Sequence, residues 1–356
     1  MNTPTRRTVL KGAGLAALAT PLILRRNAWA QGKTIQMGIW GGVQGEYIRK
    51  TVIPPFEQEF GCRVLVEEGV TLSQLARMRA TKDDPKYTVM FIDPLGIEIA
   101  KRENLIAPLP VASMSNLSNV YPRFILEDGF GVAFGVTAAG LFYNPAATSA
   151  PTSYADLWNP KYKKRLSMIG VRNTPSTFLV IAAAAVATGK PLKEAQYNVE
   201  AAWPKLAELK PNVLNLFESN AAAVFVAQGE ADIGAIEYSQ YIYPYTAKGA
   251  SVDMAFPKEG GFAGHNCQVL VKNGPNGDIG AAFMNRMLDT KVQAGLAEVG
   301  LSAPSVGGIT FAPELAKMLP YPIEKVEAMG LFTPDAANIN ANRSAWIEKL
   351  NQIFVS

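Results

Sequence analysis

"FGVAFGVTAAGLFYN", residues 130–144, holds two apolar, strand-forming runs with no helix between them. Upstream, short apolar runs alternate with helical patterns. "TIQMGIW" (34–40), "CRVLVEEG" (62–69) and "YTVMFID" (87–93) read as strands. "EYIRKTVIPPFEQEFG" (46–61), "LSQLARMRATKDD" (72–84) and "LGIEIAKRENLI" (95–106) read as helices, the first interrupted at Pro54-Pro55 and stopped at Gly61. Strict alternation predicts βαβ units on a parallel sheet. The doubled strand at 130–144 breaks that rhythm. It marks a place where the chain crosses from one α/β domain to another.

The second half repeats the style. "SYADLWNPKYKKRLSMIGV" (153–171) reads as a helical turn and a strand. "PSTFLVIAAAAVATG" (175–189) is a helix with Pro175 in its first turn and Gly189 as its stop. "EAAWPKLAELKPN" is expected to break at Pro204, and residues 221–242 give a helix and then the strand "ADIGAIE". "NCQVLVK" (266–272) is a strand placed to cross back. A helix over 278–300 and two more near 323–330 and 340–354 complete the chain. The expected architecture is two α/β domains with a cleft between them, a natural seat for a small ligand.

The composition is ordinary globular material, 48% hydrophobic and 18% charged. The formal charge of +4 is concentrated in the first thirty residues, which carry Arg6, Arg7, Lys11, Arg25 and Arg26 and no acid. Without them the chain is nearly neutral and has no nucleic-acid footprint. Those residues read as an export signal: a basic start, the short apolar run "GAGLAALATPLIL", and "AWA" ahead of cleavage near Ala30-Gln31. Arg6-Arg7 points to a twin-arginine signal, with an ordinary secretory signal as the other reading. Either route leads to the periplasm. Cys62 and Cys267 are expected as two separate buried thiols.

Enzyme signatures are missing. His265 is the only histidine, so two-histidine constellations and histidine-rich metal motifs are excluded, and no nucleophile elbow or P-loop occurs. No cofactor, catalytic residue or resident metal is expected. Glu237 and His265 would be the acid–base candidates of a periplasmic enzyme. Tyr238, Tyr241 and Tyr245 would share a helical face and offer hard oxygen donors to ferric iron. The plainer reading is an aromatic packing face.

Four stretches carry a family resemblance: "IWGGVQGEYIRKTVIPPFEQEFGCRVLVEE" after the leader, "YADLWNPKYKKRLSM" at 154–168, "GEADIGAI" at 229–236 and "FPKEGG" at 256–261. In that order the chain resembles the periplasmic solute-binding proteins of ABC importers, and within them the spermidine/putrescine-binding group. The resemblance implies the type II periplasmic binding fold, an α/β protein of two lobes that closes on its ligand by a hinge. The lobes would be 31–137 with about 266–311, and 138–265 with about 312–356. It also implies permease subunits of the importer as partners and a monomeric protein. Its ligand positions fall on Trp40, Gly41 and Gly42; Asp93; Arg172, Asn173 and Thr174; Glu237 and Tyr238; and His265 and Asn266.

The chain departs from the polyamine pattern. A diamine needs a carboxylate at each end, yet "VRNTPST" (171–177) has no acid. If Asn173 or Thr174 caps the helix, the N–H groups of Ser176 and Thr177 point out of its positive end and Arg172 adds a full charge. The sequence therefore predicts an anionic or zwitterionic solute, with Ser176 among the ligand-binding residues and Asp93 or Glu237 receiving an amine.

Overall fold

In the computed structural model, residues 32–217 and 221–355 are described; the leader read over 1–30 lies outside them. The principal strands in chain order are β1 (Thr34–Ile39), β2 (Arg63–Glu68), β3 (Val89–Ile92), β4 (Gly131–Tyr143), β5 (Leu166–Ile169), β6 (Val213–Phe217), β7 (Ile233–Tyr238) and β8 (Phe262–Val271). Their order across the sheet is β2-β1-β3-β8-β4-β7-β5-β6. Strands β2, β1 and β3 run parallel at one side, and β7, β5 and β6 run parallel at the other. Each side has the βαβ character that the alternation predicts.

The two central strands join the sides. The two runs at 130–144 form one continuous strand, β4, and the strand expected at 266–272 starts earlier, at Phe262. They pair antiparallel from Phe262 opposite Ala139 to Gln268 opposite Val132. The free edge of β8 pairs with β3, and that of β4 with β7. Register slips between Asn266 and Cys267, leaving Phe134 as the extra residue on β4. Such a bulge bends the strand and re-aims a side chain.

Several boundaries differ from the sequence reading for local reasons. The helix over 46–61 is not interrupted at Pro54-Pro55. Gly42–Tyr47 continues through a π-helical stretch, Ile48–Val52, into Ile53–Phe60. Both prolines sit in the first turn of that last segment, directly after the π-helical stretch, whose wider winding carries the backbone past them. Gly61 closes it in the left-handed conformation, φ 57°. Pro204 lies in the first turn of Ala202–Leu209 and breaks nothing. The helix read over 278–300 is two helices, Gly277–Met287 and Thr290–Gly300, the second capped by Asp289.

Two large apolar clusters stand behind the sheet. One gathers β1 and β3 with Phe56, Phe283 and Leu296. The other surrounds the helix Thr174–Thr188, whose residues Phe178 to Ala185 are all buried, and includes Leu206, Trp346 and Leu350. A helix apolar on every side is a core helix. Cys62 and Cys267 are buried, unbonded thiols, as expected from the sequence.

The β4–β7 joint predicts its own weak point. A Cβ on Gly234 would lie 2.0 Å from the ring of its cross-strand neighbour Phe142. Gly234→Ala is expected to lower unfolding free energy by about 1–3 kcal/mol. Urea denaturation checks this, and a loss under about 0.5 kcal/mol would show that the ring yields freely.

Candidate functional site

The sequence-predicted positions lie mostly just past the carboxyl ends of the parallel strands, where open α/β sheets bind ligands. Trp40 follows β1, Asp93 follows β3, the Arg172 turn follows β5, and Tyr238 ends β7. Three local arrangements result.

The first is aromatic. The Trp40 ring is 5.9 Å from Phe91 and 6.2 Å from Phe134, centroid to centroid. Phe134 is the residue that the bulge in β4 sets free from the ladder. Trp40 is half-buried on this pair, and Gly41 and Gly42 follow it into the helix beginning at Gly42.

The second is polar. Asn266 on β8 donates through Nδ2 to Gln44 Oε1 and to Ser302 Oγ, both at 3.1 Å. Gln44 Nε2 in turn donates to Gln240 Oε1 at 3.2 Å. Gln44 belongs to the helix after β1 and Gln240 to the helix Ser239–Thr246 after β7. The network therefore bridges the two sides of the sheet across its central strands.

The third is charged. Asp93 caps the helix Pro94–Arg102, its Oδ1 accepting from the Gly96 N–H at 2.8 Å. Burial raises its carboxyl above the usual range, against the opposing effects of the Gly96 N–H, the Arg343 charge and the Thr71 hydroxyl. Tyr238 lies beside it. Burial pushes its phenol well up, and the Asp93 charge pushes the same way while Arg343 opposes. Tyr238 rests over Gly264, where a Cβ would come within 2.5 Å of the phenol ring. That close approach is open only to glycine. Arg343, from the long helix Ala336–Phe354, donates to the Arg172 carbonyl at 3.2 Å and to Thr174 Oγ1 at 3.5 Å.

Other features of the sequence reading are corrected. The helix after Arg172 does not offer the donors expected of it. Asn173 occupies the cap position, but its side chain donates back to the Gly170 carbonyl. The Ser176 N–H donates to Asn173 O at 3.1 Å and its hydroxyl to Gly170 O at 3.1 Å. The Thr177 hydroxyl donates to Thr174 O. Ser176 and Thr177 are fully buried, which leaves the Arg172 guanidinium as the exposed donor of this turn. The Arg172 side chain is exposed and pairs with no acid among the described residues.

Glu237 and His265 do not form an acid–base pair. Glu237 lies opposite Gly140 and His265 opposite Val136, four residues apart along β4, or about 13 Å at strand rise. His265 is buried against Phe124, 5.5 Å between rings, with both ring nitrogens unpartnered. Burial, helped by the Arg123 charge, holds it down at about 4. Its strand neighbour Asn266 faces the polar network, and alternation turns His265 to the other face of the sheet. Nor do the tyrosines share one helical face. Tyr238 ends a strand and meets Phe178 edge-on at 6.0 Å, while Tyr245 packs on the cluster around β1 and β3. Tyr241, in the helix Ser239–Thr246, is exposed.

Gln44, Gln240, Ser302 and Arg343 were not legible as site residues. Each is an ordinary polar residue within a helix or loop, and only the folded chain brings it to the cleft.

Residues 51–317 match the family described as bacterial extracellular solute-binding protein. The spermidine/putrescine-binding periplasmic protein of Escherichia coli K12 is 22% identical over 300 residues, 82% of this chain and 79% of that protein. Among solved structures, an ABC transporter protein from Clostridium perfringens superposes with a TM-score of 0.75 at 23% identity, covering 90% of this chain and 99% of the other. The periplasmic binding protein AfuA of Actinobacillus pleuropneumoniae, with fructose-6-phosphate bound, gives 0.70 at 18% identity over 91% and 98%. A Trichodesmium protein in complex with iron and citrate gives 0.66 at 16% identity over 90% and 99%. These likenesses establish the two-lobed type II periplasmic binding fold and span several kinds of ligand.

Glu237 predicts a pH dependence of stability. It is buried, its Oε1 accepts from the Tyr238 N–H at 2.7 Å, and its Oε2 has no partner. Burial pushes its carboxyl up to about 8. Between the ordinary glutamate value and 8, the folded chain holds a proton that the unfolded chain has released. The group's contribution to stability is therefore full below about pH 4.3 and declines as pH rises through 8. Glu237→Gln should match the parent near pH 4.5 and exceed it by at least ~2 kcal/mol at pH 8.5. Urea titrations at the two pH values check this, and an equal difference at both would refute the buried neutral acid.

Proposed function

The chain belongs to the bacterial extracellular solute-binding proteins, and we propose that it captures a small anionic or zwitterionic solute in the periplasm and delivers it to the permease of an ABC importer. In this reading residues 1–30 are an export signal, and the mature chain acts as a monomer. The solute sits between two lobes, one built around β1–β3 and one around β5–β7. Asp93 and Trp40 form one wall, and Tyr238 with the Arg172 turn the other.

One observation carries the choice of ligand class. The exposed guanidinium of Arg172 has no acidic partner among the described residues, yet it stands at the carboxyl end of β5, where ligands of such sheets bind. An anionic group supplies the missing partner through charge-assisted, bidentate hydrogen bonds. A diamine fits poorly. It needs two ionised carboxylates, and Glu237 is neutral below about pH 8. That leaves Asp93 for two ammonium groups.

A thermal-shift screen of residues 31–356 tests the reading with polyamines, amino acids, amino-phosphonates, organic acids and ferric citrate. A ligand present at a hundred times its Kd adds about 2.7 kcal/mol. An anionic or zwitterionic compound is expected to shift the midpoint, and Arg172→Ala to weaken it at least ~10-fold, the equivalent of about 1.4 kcal/mol. A shift by putrescine or spermidine alone, unchanged in Arg172→Ala, would overturn it.

A further inference from the structure

Arg343 connects the two charged parts of the site. Its guanidinium is tied to the Arg172 carbonyl and to Thr174 Oγ1 on one wall. Its charge also acts on Asp93 on the other, and on Tyr238. Arg343 and Asp93 form no ion pair within 4.0 Å, yet Asn340, one turn before Arg343, bonds to the helix that Asp93 caps. The helix bearing Arg343 is anchored on both sides. Trp346 and Leu350 are buried in the cluster around Thr174–Thr188. Asn340 donates to the Leu95 carbonyl and to Glu98 Oε2, both at 2.8 Å, on the helix that Asp93 caps. Arg343 is thus held by packing at one end and by hydrogen bonds to the Asp93 helix at the other.

A fixed cation near the Asp93 carboxyl has two consequences. An ammonium group approaching Asp93 meets a like charge already there, which disfavours a second cation. A dication meets Arg172 and Arg343 together. A solute with an anionic end gains both guanidinium groups, and its amine, if it has one, pairs with Asp93.

Resting on the reading of an anion-binding cleft, we infer that Arg343 is a specificity-determining residue: held at the Arg172 turn and forming no ion pair with Asp93, its guanidinium excludes dicationic ligands and is a second donor to an anionic group. Arg343→Met preserves length and removes the charge. Arg343→Gln is a second neutral replacement, should the methionine variant fold poorly. Arg343→Lys keeps the charge.

The probe is putrescine, measured by calorimetry on the full mature chain. The parent and Arg343→Lys are expected to bind it weakly or not at all. Arg343→Met and Arg343→Gln are expected to bind it at least tenfold more tightly than the parent, and Asp93→Asn combined with Arg343→Met to lose that gain. No gain in either neutral variant overturns the role of Arg343 and leaves the Arg172 reading standing. A gain that survives Asp93→Asn overturns the route through Asp93. Tight putrescine binding by the parent, unchanged in Arg343→Met, overturns this inference and the anionic reading together.

Discussion

The antiparallel ladder between β4 and β8 is the constraint on which the rest depends. Each strand spans the middle of the sheet, paired with the other and with one strand of its own side. A ladder of backbone hydrogen bonds sets spacing and register, so both parallel triplets are fixed to one frame. Their carboxyl ends converge at the centre, and the site residues follow. The slip at Asn266/Cys267 is part of the same frame. It releases Phe134 to pack under Trp40 and keeps Asn266 aimed at Gln44 and Ser302.

Polarity at the site is set by burial as much as by formal charge. Glu237 is buried without a charge partner and holds its proton at neutral pH, so it contributes shape and one hydrogen-bond acceptor. His265 is buried as a neutral ring away from the polar network. The acidic and basic side chains left at the site are Asp93, Arg172 and Arg343. One carboxyl and two guanidinium groups make an uneven set, although the relatives that this chain matches bear polyamine names.

The sequence carried the local facts. Strand and helix order is legible because alternation and amphipathic period act within about ten residues. Gly61 and Gly189 stop helices for a reason confined to their own φ angles, 57° and 70°. The doubled strand at 130–144 announced a crossing, and "VRNTPST" announced a cationic turn without an acid. Pro54-Pro55 and Pro204 misled because a proline is harmless or disruptive according to the turn it occupies, and one residue of offset decides that.

What tertiary structure decided lies between distant segments. Ser176 has the composition of an anion cradle, yet its N–H and hydroxyl are both bonded within its own turn. Adjacent residues on β8 were both candidates, but a strand shows one face at a time; its register gave Asn266 to the network and buried His265. Arg343 reaches Asp93 from 250 positions away in a helix with no motif. Pattern in a sequence reports what each segment prefers by itself. Which side chain meets which charge is settled when separate segments are packed, because electrostatics and burial act through space and not along the chain.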